Sequence, residues 1–327
     1  MSLYSEILEQ PERIEALLTS QRSAVEQIAA EIGKRAVQYV FLAARGTSDN
    51  AGRYANYLLG ALNGLPLALA TPSLFTYYHQ PPRLHNALVI GISQSGQSPD
   101  IVSVLEEGRR QACLTLAITN EPKSPLAHTA DCVIDIQAGA ERAVAATKTY
   151  TTQLMSIAML AAALKGEERY WQELSQVSSW MRQALEQDAA IAQAAQRYRY
   201  MNQTVVLGRG FSYANAFEWA LKLKELTYII AEPYSSADFQ HGPIAMVDSG
   251  FPVMSIAPQG KVFDSMLQML QRLKDDFAAE LVVLSNDERA LALAQTPIAI
   301  PGDTPEWLSP LVSILPAQLF AYHLTVA

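Results

Sequence analysis

The sequence predicts an α/β fold of two doubly wound parallel sheets, flavodoxin- or Rossmann-like, and three observations point to it. Short apolar runs alternate with longer segments of helical period, the mark of βαβ units. The alternation breaks at a Gln-, Ala- and Glu-rich stretch around 167–200, free of Gly and Pro, and then restarts. Of the 327 residues, 50% are hydrophobic and 17% charged, the mix of an ordinary folded chain with room for about two cores.

In order along the chain, 1–30 reads as an N-terminal helical segment and 31–166 as a first domain. Its strands are expected at 38–44, 66–70, 87–92, 113–118 and 132–136. AGRYANYLLGALN and DIVSVLEEGRRQA read as crossover helices, and KTYTTQLMSIAMLAAALKG as a long, largely buried one. Residues 167–200 form a helical connector. A second domain, 201–327, places strands at 204–210, 251–258, 279–286 and 296–301, with a polar loop from Ala231 to Pro243. VFLAARGTSDN near 40 aligns with VVLGRGFSYAN near 205, each a strand, Arg-Gly-x-Ser and a helix, so the two halves read as a duplication.

Charge and cysteines exclude several classes. Lys and Arg total 24 against 32 Asp and Glu, a net charge of −8 with no basic run, so a nucleic-acid partner is not expected. Cys113 and Cys132 sit in apolar stretches without CxxC spacing and read as two buried core thiols. No signal sequence or membrane-length apolar stretch is apparent, so the expected location is cytoplasmic with no membrane partner.

Four places carry candidate chemistry. Ser93-Gln94-Ser95-Gly96-Gln97-Ser98 lies between a strand and a helix, with Ser98 suited to the N-cap and Pro99 to the first helical position. Such a turn offers N–H and hydroxyl donors to an anion; an ordinary capped turn would use the same residues. A similar turn, Ala44 to Asn50, follows the first strand, and the pair would meet in one crevice of an open sheet. In the second half Glu218, Lys222 and Glu225 fall at i, i+4 and i+7 on one helix face. Taken alone that spacing reads as a solvated face, and a polar stripe lining a ligand cavity, with a carboxylate as general base, is the alternative. His241 precedes Gly-Pro, which places it in a turn where its imidazole is either simply exposed or held for proton transfer.

GTS at 46–48, SQSGQSPD at 93–100, GAERAVAATKTYTTQ at 139–153, LGRG at 207–210, ALKLKEL at 220–226 and QHGP at 240–243 occur in the order found in the SIS (sugar isomerase) family, which the chain resembles from about residue 35 onward. The resemblance implies tandem SIS domains holding a phosphosugar. It implies sugar and phosphate contacts from Thr47 and Ser48, a phosphate loop of Ser93, Gln94, Ser95 and Ser98, and backbone contacts from Val144 and Ala145. Ala146 stands where the family's synthase pattern has a serine. Glu225 matches the carboxylate that moves a proton between C1 and C2. Lys222 and Glu218 match its charged neighbours, and His241 the residue that helps open the ring, reached across a homodimer interface.

The expected reaction is the isomerising deamination of an amino-sugar phosphate, glucosamine 6-phosphate to fructose 6-phosphate and ammonia, needing no cofactor and no metal. Glutamine-dependent amination is set aside because the synthase's N-terminal domain is missing from this sequence. A fructosamine-6-phosphate deglycase and a plain aldose–ketose isomerase are close alternatives. A non-catalytic sugar-phosphate sensor is the alternative from another class, set aside because no DNA-binding segment precedes the first domain. The apolar pattern ending at Ala327 also leads to the expectation of a further tail carrying a lysine that the family places over the sugar.

Overall fold

Strands covered on both faces are built almost entirely of apolar residues, and the apolar runs of this sequence form such strands. The computed structural model describes residues 2–327; Met1, the first residue of the N-terminal segment, lies outside them. The chain divides into two units, one made of Glu12–Glu141 and Lys148–Ser175, the other of Met1–Pro11, Arg142–Thr147 and Gln176–Ala327.

In the first unit β1 (Tyr39–Ala43), β2 (Leu67–Leu69), β3 (Ala87–Ile92), β4 (Leu114–Thr119) and β5 (Cys132–Asp135) form a sheet of order β2-β1-β3-β4-β5. All pairings are parallel, with Leu88 opposite Leu114 and Val40 opposite Leu88. β3 and β4 are buried at every residue. Helix Thr47–Asn63 carries the chain from β1 out to β2 and ends at Gly64, whose left-handed φ of +67° lets its N–H reach Gly60 O. Ile101, Val104 and Leu105 of helix Pro99–Arg110 pack with Val89 and Ala117, each fully buried side chain contributing about 1.5–3 kcal/mol.

The second unit repeats the pattern with β6 (Gln203–Gly208), β7 (Ile230–Ser235), β8 (Pro252–Ile256), β9 (Glu280–Ser285) and β10 (Thr296–Ala299), ordered β10-β9-β8-β6-β7. Read from β7, this is the order of the first sheet, so β6 corresponds to β1 and β7 to β2. β7 corrects the expectation of a polar loop there. It is an edge strand, where Pro233, paired in register with Val206, has no ladder hydrogen bond to lose on its outer side.

Helix Tyr213–Thr227 follows β6 and packs against the terminal helix Ser309–Val326. Trp219 and Phe320 meet edge to face with centroids 5.9 Å apart, and Asn215 Nδ2 donates to Pro310 O at 2.8 Å. Helices Val177–Leu185 and Asp188–Ala195 join the same unit. Cys113 is buried, its Sγ 2.6 Å from Leu84 O, whereas Cys132 is only half-buried because β5 is an edge strand, which corrects the expectation of two core thiols. Among the described residues no helix is long and apolar enough to cross a membrane.

Candidate functional site

In the first unit the chain leaves β1 toward one side and returns to β3 on the other, which opens a crevice at their carboxyl ends. The two hydroxyl-rich turns stand there. Gly46 caps the helix opened by Thr47 with a φ of +54°, and Ser48, only 8% exposed, accepts a hydrogen bond from Gln153 Nε2 at 3.0 Å. Burial pushes the Asp49 carboxyl up, against the pull of Arg53 and Arg45.

The second turn is held by its own hydroxyls. Ser93 Oγ accepts from Gly96 N at 3.1 Å and Ser95 Oγ from Gln97 N at 3.3 Å. Gln94 O accepts from Asn120 N at 3.1 Å, which ties the turn to the end of β4. Gly96 has a φ of +61°, and a Cβ there would stand 2.0 Å from Ser124 Oγ, so only glycine fits. Ser98 is the N-cap and Pro99 the first helical residue, yet the Ser98 hydroxyl makes no capping bond. Arg45, given no role from the sequence, reaches Asp100 in the first turn of that helix at 2.7 Å. The Arg-Gly pair repeated after β1 and β6 was the available signal for it.

In the second unit Glu218, Lys222 and Glu225 come together. Lys222 Nζ lies 3.4 Å from Glu218 Oε1 and 2.6 Å from Glu225 Oε2. The side chains of Lys222 and Glu218 are 1% and 0% exposed and that of Glu225 is 32% exposed, so the solvated-face reading fails for two of the three. Burial, the largest single influence, lowers the Lys222 ammonium's pKa, but the fields and hydrogen bonds of the two carboxylates outweigh it and hold it above the ordinary lysine value. The cluster therefore presents a partly exposed carboxylate paired with a buried ammonium.

His241 stands on a separate loop of the same unit, exposed, its N–H donating to Asp238 O at 3.0 Å and Gly242 turning the chain at a φ of +137°. Val144 is 98% exposed and Ala145 1% exposed, both within Arg142–Thr147. The serine loop belongs to the first unit and the Glu218–Lys222–Glu225 cluster to the second. Among the described residues no group of three or more His, Cys, Asp or Glu is arranged to hold a metal ion.

Comparison with known proteins follows the same division. The SIS domain model matches residues 36–163 and again 198–327. The chain is 36% identical over 326 residues to the isomerizing glutamine–fructose-6-phosphate aminotransferase of Methanothermobacter thermautotrophicus, covering 99% of this chain and 54% of that one. It is 34% identical over 335 residues to the enzyme of the same name from Legionella pneumophila strain Paris, covering 99% and 55%. The chain thus spans about half the length of the curated relatives it matches. Among solved structures, a provisionally named phosphosugar isomerase from Silicibacter pomeroyi superposes with a TM-score of 0.87 at 31% identity, covering 99% of this chain and 96% of that one. The C-terminal domain of glucosamine-fructose-6-phosphate aminotransferase from Francisella tularensis gives 0.86 at 29%, covering 99% and 95%. With the family's model matched once in each half and the same strand order in both sheets, the chain belongs to the SIS domain family.

Proposed function

We propose that this chain is a phosphosugar isomerase acting on an amino-sugar phosphate, taking glucosamine 6-phosphate and water to fructose 6-phosphate and ammonia. The observation that carries the reading is the Glu218–Lys222–Glu225 cluster, in which the Glu225 carboxylate is partly exposed beside a buried ammonium. In this reading His241, contributed by a second copy of the chain, assists ring opening. Glu225 then takes the proton from C2 of the open-chain aldehyde, giving an enediol-type intermediate, and returns it to C1. The imine left at C2 adds water and loses ammonia, so the products balance substrate plus one water. Similarity to two aminotransferases named as isomerizing supports the proton transfer.

The test is a panel of hexosamine and hexose 6-phosphates assayed for ammonia and for ketose phosphate. Release of both from a hexosamine 6-phosphate is expected. Aldose–ketose interconversion without ammonia would favour a plain isomerase, the second reading, which the name of the Silicibacter pomeroyi structure favours. Turnover of neither class overturns both.

Phosphate recognition is assigned in this reading to Thr47, Ser48 and the loop of Ser93, Gln94, Ser95 and Ser98, at the amino end of a helix where N–H groups and hydroxyls meet an anion. The Ser98 hydroxyl, unused in capping, is the one most available. Replacing Ser95 and Ser98 with alanine is expected to raise the Kd for the phosphosugar at least about tenfold, since each hydrogen bond to a charged group contributes about 1.5–3 kcal/mol. Calorimetry with phosphorylated and unphosphorylated sugar measures it. An intact preference for the phosphorylated form in the double variant would remove the loop from the site.

A further inference from the structure

Glu6 has no reason, on sequence grounds, to be buried. It lies in the six-residue helix Leu3–Leu8, which Ser2 opens with a capping box to Ser5, and a glutamate on so short a helix is ordinarily solvated. Its exposure is nonetheless 0%. The two carboxylate oxygens accept from two consecutive backbone N–H groups, Oε1 from Arg142 at 2.7 Å and Oε2 from Ala143 at 3.3 Å. Arg142–Thr147 has neither helix nor strand, so side-chain contacts of this kind fix its backbone.

The helix that carries Glu6 is itself anchored. Tyr4 Oη donates to Asp188 Oδ2 at 2.6 Å, and its ring stacks on Tyr322 with centroids 5.2 Å apart. Gln10, just beyond it, donates to Gln318 Oε1 at 2.7 Å. A buried carboxylate costs more to desolvate than an apolar side chain of the same size and is compensated only by donors that fill its oxygens. What the carboxylate supplies that a leucine cannot is direction. It grips the chain immediately before Val144, whose side chain is turned out to 98% exposure, and Ala145, which is turned in.

We propose that Glu6 is a positioning residue for sugar binding: by holding the backbone of Arg142 and Ala143 it presents the main chain of Val144 and Ala145 to the phosphosugar. The proposal rests on the functional reading above. Glu6→Gln keeps the size of the side chain but turns one oxygen into an amide nitrogen that faces an N–H and cannot accept. Glu6→Ala removes both acceptors. The expected result is a KM for the sugar phosphate raised about tenfold in Glu6→Gln and further in Glu6→Ala. Turnover stays within about threefold, because Glu225 and Lys222 are untouched. Amide exchange at Arg142 and Ala143 should accelerate in both variants while that of β6 does not change.

An unchanged KM in folded Glu6→Gln overturns the proposal. Should neither variant fold, exchange in the wild type decides it. Protection of Arg142 and Ala143 without ligand is expected, and protection that arises only on adding fructose 6-phosphate overturns the clamp. Wild-type protein that binds no phosphosugar overturns the functional reading and this proposal with it, whereas wild type and Glu6→Gln binding equally tightly overturn the proposal alone.

Discussion

Glu225→Gln is expected to cut turnover of the proposed substrate by about 10²–10⁴-fold, the contribution of a positioned general base. The amide is isosteric, and its carbonyl oxygen can still accept from Lys222 Nζ, which lies 2.6 Å from Glu225 Oε2 in the wild type. Binding should therefore survive, with KM changed by less than about threefold. The fold should survive as well, because the buried Lys222 ammonium keeps Glu218 as a counter-charge 3.4 Å away and the amide oxygen as an acceptor. The decisive measurement is deuterium incorporation at sugar carbon in heavy water. Wild type is expected to exchange the proton moved between C2 and C1, and Glu225→Gln to exchange none on the same time scale. Undiminished incorporation would mean that another group is the base. Glu225→Asp, which keeps the charge but withdraws it by one methylene, should fall between the two, since misplacing a base costs rate even when its chemistry is intact.

The parts of this molecule legible in the sequence are those whose physics is local. β3 and β4 are buried on both faces and so spell nearly continuous apolar runs, β4 admitting only Thr115 and Thr119; β3 falls at its expected bounds and β4 one residue later than expected. β7 was missed because an edge strand needs only partial burial and tolerates Glu232 and Pro233, which in isolation are loop residues. For the helix Tyr213–Thr227, spacing placed Glu218, Lys222 and Glu225 on one face, but spacing cannot say what covers a face. That helix is packed by a terminal helix beginning at Ser309, and the burial of Glu218 and Lys222 is a property of the folded unit. Ser98 was legible as an N-cap from its backbone position, whereas the idleness of its hydroxyl was not. Glu6 marks the limit, since its partners lie 136 and 137 residues away and no pattern around it announces them.

Lys222→Met should destabilise the fold by about 3–5 kcal/mol, the largest stability change expected from a single substitution in the cluster. Methionine fills similar volume, so the loss is electrostatic. It withdraws the ammonium from Glu218, whose side chain is 0% exposed, and from Glu225, leaving two like charges on one helix face without the cation between them. The pH dependence has a definite sign. The folded pKa of Lys222 is raised above its ordinary value, so its contribution is fully present below the ordinary lysine range and is lost only as pH climbs through the higher folded value. The gap between wild type and Lys222→Met in urea unfolding should thus be the same at about pH 6 and about pH 9, and should narrow only at more alkaline pH. The double variant Glu218→Gln/Lys222→Met removes a buried charge of each sign and should lose less than the two single variants summed, with a coupling of about 0.5–3 kcal/mol. Strict additivity would mean that the two groups, though 3.4 Å apart, do not stabilise one another. In that event the stability lost in Lys222→Met would trace to Glu225, the partner 2.6 Å away, and not to Glu218.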